Sequence, residues 1–389
     1  MKEEKSGEEG GSPLGPVSSP SEATRGCCTI TLVVGAIDRA PSGRLGKSLA
    51  TRMPKSDPFH DGAPWIGWQA FALWGRASKV PYRKAILSMQ PQARMSDILR
   101  RFTRRLVRAS RAGLFVLPGH FYSPIVQRAH ARRHLEQLPA DFRDKVGEIR
   151  IDRSGHLAFW AEIRPLLEEI PFRNEPVAGL RYYFDNDAFG VGDGSMLYAM
   201  LRHFRPRRLI EVGSGYSSAC SLDTIERFLG NSVETTFIEP HPALLERLLT
   251  PSDRGRVRVI PTPVQDVEPA FFDVLESGDL LFIDSTHVLK TGSDVAFELF
   301  EVLPRLKAGV VVHFHDIFAG FEYPRAWVVD DNRSWNELYA LRAFLMYNDA
   351  FEIIFFNSFF AHSCADEIRA SYPRFLENPG GSLWLRKTR

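Results

Sequence analysis

Residues 209–217 read Leu-Ile-Glu-Val-Gly-Ser-Gly-Tyr-Ser, a short apolar run that stops at a Gly-X-Gly turn, with an acid two positions before the first glycine. Glycine at 213 and 215 removes the Cβ atoms that would keep a ligand off the backbone, and it permits the positive φ angles of a sharp strand-to-helix turn. Such a turn suits a nucleotide-like cofactor. A glycine pair alone is weak evidence of one, so its meaning rests on the elements around it.

Those elements are regular. A helix centred on Met196 to His203 leads into a strand at Leu209 to Val212, and Leu222, Ile225 and Leu229 mark the helix after the turn. Strands follow at Thr235 to Ile238, Val257 to Ile260, Leu280 to Ile283 and Val310 to Phe314, with helices expected over Ala243 to Leu249 and Val295 to Leu303. Alternating strands and helices indicate a parallel sheet covered on both faces. After a helix from about Trp335 to Met346 come strands Phe351 to Phe356 and Leu383 to Leu385, without a clear helical crossover between them. The expected fold is therefore α/β and Rossmann-like: a mostly parallel seven-stranded sheet with helices on both faces and an antiparallel last strand, plus an N-terminal helical extension.

The 389-residue chain divides into three stretches. Residues 1–94 read as a disordered or poorly structured extension: the first 26 are rich in Gly, Ser, Pro and Glu, and the rest show no sustained period despite Trp65, Trp68 and Trp74. Residues 95–178 read as a helical region whose composition changes at Met95, a candidate internal start. Residues 179–389 hold the sheet. In 97–111, Ile98, Leu99, Phe102 and Leu106 share one helical face while six arginines crowd the remainder. Two readings stay open, a helix on an anionic membrane surface or one covering an apolar neighbour.

A net charge of +2 gives no general argument for a nucleic-acid partner. Cys27, Cys28, Cys220 and Cys364 show no paired metal-ligand spacing, so neither a disulfide framework nor a zinc site is expected. With no long apolar stretch, the chain reads as cytoplasmic.

Ligands of open parallel sheets lie at the carboxyl ends of the strands. Here those ends carry Glu211 with the Gly213–Gly215 turn, then Glu239, Gln265-Asp266 and Asp284, and finally His313-Phe314-His315-Asp316. A carboxylate such as Glu239 offers two acceptor oxygens to both hydroxyls of a ribose, and Gln265 or Asp266 suits an exocyclic adenine amine. A helix N-cap is the structural alternative for any one of them.

These residues resemble the class I S-adenosylmethionine-dependent methyltransferases, with Glu211-Val-Gly-Ser-Gly as first motif and Glu239, Gln265-Asp266 and Asp284 at the successive strand ends. Within that superfamily the chain is most similar to methyltransferase family 24, through Ile283-Asp284-Ser285-Thr286-His287, Gly292-Ser293-Asp294, His313-Phe314-His315-Asp316-Ile317 and Tyr323-Pro324. Trp335-Asn336-Glu337 and His120-Phe121-Tyr122-Ser123-Pro124 look like this group as well. The resemblance spans about residues 115–389. It implies S-adenosyl-L-methionine held by Glu211, Gly213, Ser214, Gly215, Tyr216, Ser217, Glu239, Gln265, Asp266 and Asp284. Ser217 stands where a third glycine is common, and its hydroxyl suits the methionine end of the cofactor.

Methyl transfer to a hydroxyl needs in-line approach and a way to remove a proton. His287, just past Asp284, is the expected general base. By the resemblance, Asp284, His315 and Asp316 are candidate ligands of a divalent cation, Mg2+ or another. Tyr323, Trp327 and Trp335 are candidate walls of an acceptor pocket, against their default reading as core. The expected activity is O-methylation of a small hydroxylated acceptor, a sugar or secondary metabolite. An NAD(P)-dependent oxidoreductase and a non-catalytic interaction module of the same fold are the alternatives, and a homo-oligomer stays open.

Overall fold

In the computed structural model, residues 115–389 are described, Lys145 excepted. The expected extension over 1–94, the arginine-rich helix over 97–111 and the change at Met95 lie outside them. Two helices come first, α1 (Arg128–Glu136) and α2 (Arg153–Glu168). Then follow α3 (Val191–Phe204), β1 (Arg208–Val212), α4 (Tyr216–Phe228), β2 (Glu234–Ile238), α5 (Ala243–Leu248), β3 (Val257–Ile260) and β4 (Leu280–Ile283). The remainder is α6 (Asp294–Phe297), β5 (Val311–Phe314), α7 (Glu337–Leu345), β6 (Phe351–Phe356), α8 (Asn357–Ser363), α9 (Ala365–Ser371) and β7 (Leu383–Lys387).

The strands form one sheet in the order β3-β2-β1-β4-β5-β7-β6. Strands β1 to β5 pair in parallel, and β7 runs antiparallel between β5 and β6. This is the expected sheet. The central strands are apolar on both faces because both faces are covered. Ile210, Val212, Leu281, Ile283, Val312 and Phe314 pack into one core with Val295, Leu299, Leu338 and Leu341. Leu209, Leu280, Phe282, Val311 and Trp384 face the other core, with α2 and α3 laid on it through Trp160, Ile163, Met196 and Leu197. Helix α2 is thus built into the body of the sheet and not appended to it.

Strand positions agree with the sequence pattern within about two residues, the usual slack of an element end. The helix expected over Val295 to Leu303 differs. It opens as α6, capped by the Ser293 side chain on Ala296 N–H, and passes into a π-turn over Glu298–Val302. That wider turn carries Glu298 into the interior beneath the loop after β4, where it meets Ser285. Among the described residues, no helix is long and apolar enough to cross a membrane.

Candidate active site

Order reverses between β1 and β4, and there the glycine turn meets the β4 end. Gly213 has φ +78°, and a Cβ on it would lie 1.8 Å from the Asp284 carbonyl oxygen, so only glycine lets the two backbones approach. The Asp284 N–H donates to the Val212 carbonyl (2.9 Å), and the Gly213 N–H to that of Ile238 (3.0 Å). Gly215 differs from expectation: its φ of −177° is extended backbone, and its want of a Cβ serves only a 3.2 Å approach to Leu244. Helix α4 starts there, so its free N–H groups open toward the sheet end.

The expected cofactor residues fall into two groups. Glu239, at the end of β2, accepts from Ser214 N–H (3.1 Å) and His241 N–H (2.7 Å), so one carboxylate joins the turn to the second strand. Gln265 and Asp266 stand exposed on a turn past β3. Glu211 forms the second group. It is fully buried and accepts from the Ser217 and Ser218 hydroxyls, each at 2.7 Å. Burial pushes its carboxyl up to about 8 against those two hydrogen bonds. The Ser217 hydroxyl, expected to face the cofactor, is committed to Glu211. The Tyr216 hydroxyl lies 3.1 Å from that of Tyr183.

Two buried polar atoms of this turn have no hydrogen-bond partner, Glu211 Oε2 and Ser214 Oγ. Orphans of this kind call for a ligand. A carboxylate oxygen and a hydroxyl beside open helix N–H groups fit the ammonium and carboxylate of an amino-acid cofactor, and Glu239 fits its ribose.

On the other side of Asp284 the strand ends converge. His315 Nδ1 lies 3.3 Å from Asp284 Oδ1 and 3.6 Å from Asp316 Oδ1. His287 Nε2 lies 3.4 Å from Asp284 Oδ1 and 3.4 Å from Asp316 Oδ2. His287 and Asp316 both have positive φ, 61° and 58°, strain of a kind that gathers at functional sites. Burial works against charge in this cluster, and the paired groups overcome it in part. Asp284 is held well below the usual carboxylate range by His315 and His287, while burial leaves Asp316 raised. His287 is pushed up to about 10 by Asp284 and Glu337.

The donor set does not fit the expected cation. The carboxylates of Asp284 and Asp316 share two imidazole neighbours, His315 Nδ1 and His287 Nε2, at 3.3 to 3.6 Å. Among the described residues, no group of three or more His, Cys, Asp or Glu side chains is disposed to hold a metal ion.

Three members of the cluster escaped sequence reasoning as site residues. Glu337, first residue of α7, accepts from His287 Nδ1 at 2.8 Å. Asp193, in the first turn of α3, faces His315 Nε2 at 3.4 Å and accepts from the Ser382 hydroxyl at 2.6 Å. Glu298 accepts from the Ser285 hydroxyl at 3.1 Å. His313 is core: it stacks on Phe282 at 3.8 Å and pairs with Ser382, and burial keeps it neutral. Trp335 lies against the His287 ring at 4.5 Å and, with Tyr323 and Tyr339, lines a cleft of about 310 Å³. Trp327 packs edge-on to Trp335 behind it. A larger cleft of about 630 Å³ shares Tyr323 and runs past Phe318 to Gly380.

Sheet order, glycine turn and strand-end acids define a class I methyltransferase. A family model described as a methyltransferase domain, methyltransferase family 24, matches residues 210–317. An uncharacterized protein of Archaeoglobus fulgidus is 33% identical over 170 residues, 41% of this chain and 73% of that protein. The chain belongs to this family and is an S-adenosylmethionine-dependent methyltransferase. Among solved structures, the SAH-bound methyltransferase PaMTH1 of Podospora anserina has a TM-score of 0.35 at 17% identity, covering 70% of this chain and 99% of that one. The O-methyltransferase TomG of Streptomyces achromogenes, in complex with SAM, has a TM-score of 0.35 at 15% identity, covering 62% and 92%.

Proposed function

We propose that the protein transfers the methyl group of S-adenosylmethionine to a hydroxyl of a small acceptor, with His287 taking the hydroxyl proton. Asp284 carries this reading. Its backbone carbonyl packs on Gly213 while its carboxylate faces His287, so cofactor turn and proton acceptor share one residue.

When bound, the cofactor supplies an electrophilic methyl carbon on a cationic sulfur. Gly213, Ser214, Gly215 and Tyr216 would form the wall for its methionine half, and the unpartnered Glu211 Oε2 would accept from the ammonium. Glu239 would hold the ribose hydroxyls, and Gln265 or Asp266 would meet the adenine. His287 Nε2, 3.4 Å from Asp284 Oδ1 and from Asp316 Oδ2, would take the hydroxyl proton of an acceptor whose oxygen attacks the methyl carbon in line, with the bonding electrons left on the cofactor's sulfur. No step runs through a divalent cation. Trp335, whose ring lies 4.5 Å from that of His287, forms with Tyr323 and Tyr339 an aromatic cleft that His287 itself does not line and that suits a flat or ring-shaped acceptor such as a phenol or sugar.

The test is transfer of radiolabel from S-adenosylmethionine into small molecules of a metabolite extract, with calorimetric binding of S-adenosylhomocysteine measured alongside. Binding with labelled ether products supports the reading, and His287→Gln is expected to bind normally and transfer about 10²-fold or more slowly. Tight binding with no transfer to any extract favours the non-catalytic module.

A further inference from the structure

Ahead of α1, four large apolar side chains stand exposed within one short stretch: Phe115 (89%), Leu117 (57%), Phe121 (81%) and Tyr122 (66%). Single exposed hydrophobic residues are ordinary, whereas a cluster of them marks a surface that meets something apolar. The rings form one patch, with Tyr122 lying 4.3 Å from Phe121 and 6.3 Å from Phe115. Backbone bonds fold the stretch into a knuckle. Gly119 N–H donates to the Ile125 carbonyl (3.0 Å), His120 N–H to that of Leu117 (3.1 Å) and Ser123 N–H to that of His120 (2.7 Å). Val126 N–H then donates to the Ser334 hydroxyl (3.1 Å), which ties the knuckle to the body of the protein.

The sequence around the knuckle is strongly basic. Residues 94–137 hold ten arginines against two acids, Asp97 and Glu136, a formal charge of +8 in a chain whose total is +2. Six of those arginines lie between 100 and 111, directly before Phe115. Helix α1, which follows, exposes Arg128, Arg132 and Arg133. Apolar tips are therefore flanked by cations on both sides in the sequence.

We infer that the Phe115–Tyr122 knuckle, with the arginines of α1, is a docking surface for an anionic lipid bilayer. Phe115, Leu117 and Phe121 enter the headgroup region, the Tyr122 hydroxyl stays at the wet boundary, and the guanidinium groups bind lipid phosphates. Two observations favour a bilayer over other anionic partners. Exposures of 89% and 81% belong to side chains that project, whereas aromatic residues that stack nucleic-acid bases line a groove that tracks the strand. A lipid surface also needs no matching shape, only apolar tips among cations, which is what the knuckle and α1 present. The contact is peripheral, since no described helix is long and apolar enough to cross a membrane.

The experiment is flotation of the full-length protein with phosphatidylcholine vesicles, with and without phosphatidylglycerol, at about 0.1 M and about 0.5 M salt. Wild type is expected to float with the phosphatidylglycerol vesicles at the lower salt, bound about tenfold or more above phosphatidylcholine alone, and to be released in part at the higher salt. Phe115→Ala combined with Phe121→Ala is expected to lose about tenfold in binding at both salts. Arg132→Gln combined with Arg133→Gln is expected to lose about fivefold or more, at the lower salt only. Thermal unfolding like that of wild type shows that each variant is folded; should the double aromatic variant fail to fold, Phe115→Ala alone carries the test. No flotation of wild type with anionic vesicles overturns the inference. So does undiminished binding by the aromatic variant, which would leave only a general attraction to arginine. Binding of single-stranded RNA without flotation overturns it in favour of nucleic acid, and an assembly of copies that the aromatic variant dissociates, again without flotation, overturns it in favour of a second copy.

Discussion

Gly213 and Asp284 touch backbone to backbone: a Cβ on the glycine would stand 1.8 Å from the aspartate carbonyl oxygen. No side-chain rotation relieves that contact, because the obstacle is backbone. Gly213→Ala is therefore expected to lose roughly 2–4 kcal/mol in urea unfolding and most of its S-adenosylhomocysteine affinity. Gly230→Ala is the control, with φ +60° but nothing within 4 Å, and should lose only about 1–2 kcal/mol of left-handed strain.

Stability should depend on pH through Glu211. Its carboxyl rises on folding from 4.5 to about 8, so the folded chain binds this proton more tightly than the unfolded one. The contribution is full below about pH 4.5 and is lost as pH rises through 8. Glu211→Gln keeps an acceptor for Ser217 and Ser218 but does not titrate. Its stability relative to wild type is expected to climb by about 1.4 kcal/mol per pH unit across that window. Urea denaturation at pH 5, 7 and 9 checks this, and a pH-independent difference would refute it.

Turnover should follow a different curve. With its carboxylate neighbours holding His287 at about 10, the free protein carries a protonated ring at neutral pH. The base form then grows about tenfold per pH unit up to that value, and kcat/KM should climb with it. In kcat the midpoint should fall lower, because the cofactor's sulfonium charge disfavours the imidazolium. Initial rates from pH 6 to 10 separate the two; a flat profile contradicts the role given to His287.

Chelation is expected to leave turnover unchanged, since imidazoles already face the acids Asp284 and Asp316. Rates before and after treatment with EDTA decide it. Loss of activity restored by Mg2+ or Mn2+ would show that the side chains rearrange around a cation.

Much of this was legible in the sequence because it is local. Leu280-Leu281-Phe282-Ile283 is an unbroken apolar run and Val311 to Phe314 is broken only by the buried His313, as a strand covered on both faces requires. Asp284, His287, His315 and Asp316 stand at or just beyond the ends of those strands, so their meeting follows from a parallel register. Glu337 and Asp193 were not legible as site residues. They reach the cluster from α7 and α3, and no local pattern records such a contact. Direction was lost as well: Glu211 has the residue type of a cofactor contact, yet Ser217 and Ser218 hold one of its oxygens inward. Gly215 illustrates the same limit, since a glycine's sequence position does not disclose whether its φ is positive.

A crystal structure of the S-adenosylhomocysteine complex tests the central claim most directly, through the distance from the cofactor sulfur to His287 Nε2. A carbon–sulfur bond, an in-line approach and one hydrogen bond together span about 6–8 Å. The account expects that separation, with Glu239 on the ribose and the sulfur over the junction of Gly213 and Asp284. A sulfur directed away from His287, with no room for an acceptor oxygen between them, would contradict it.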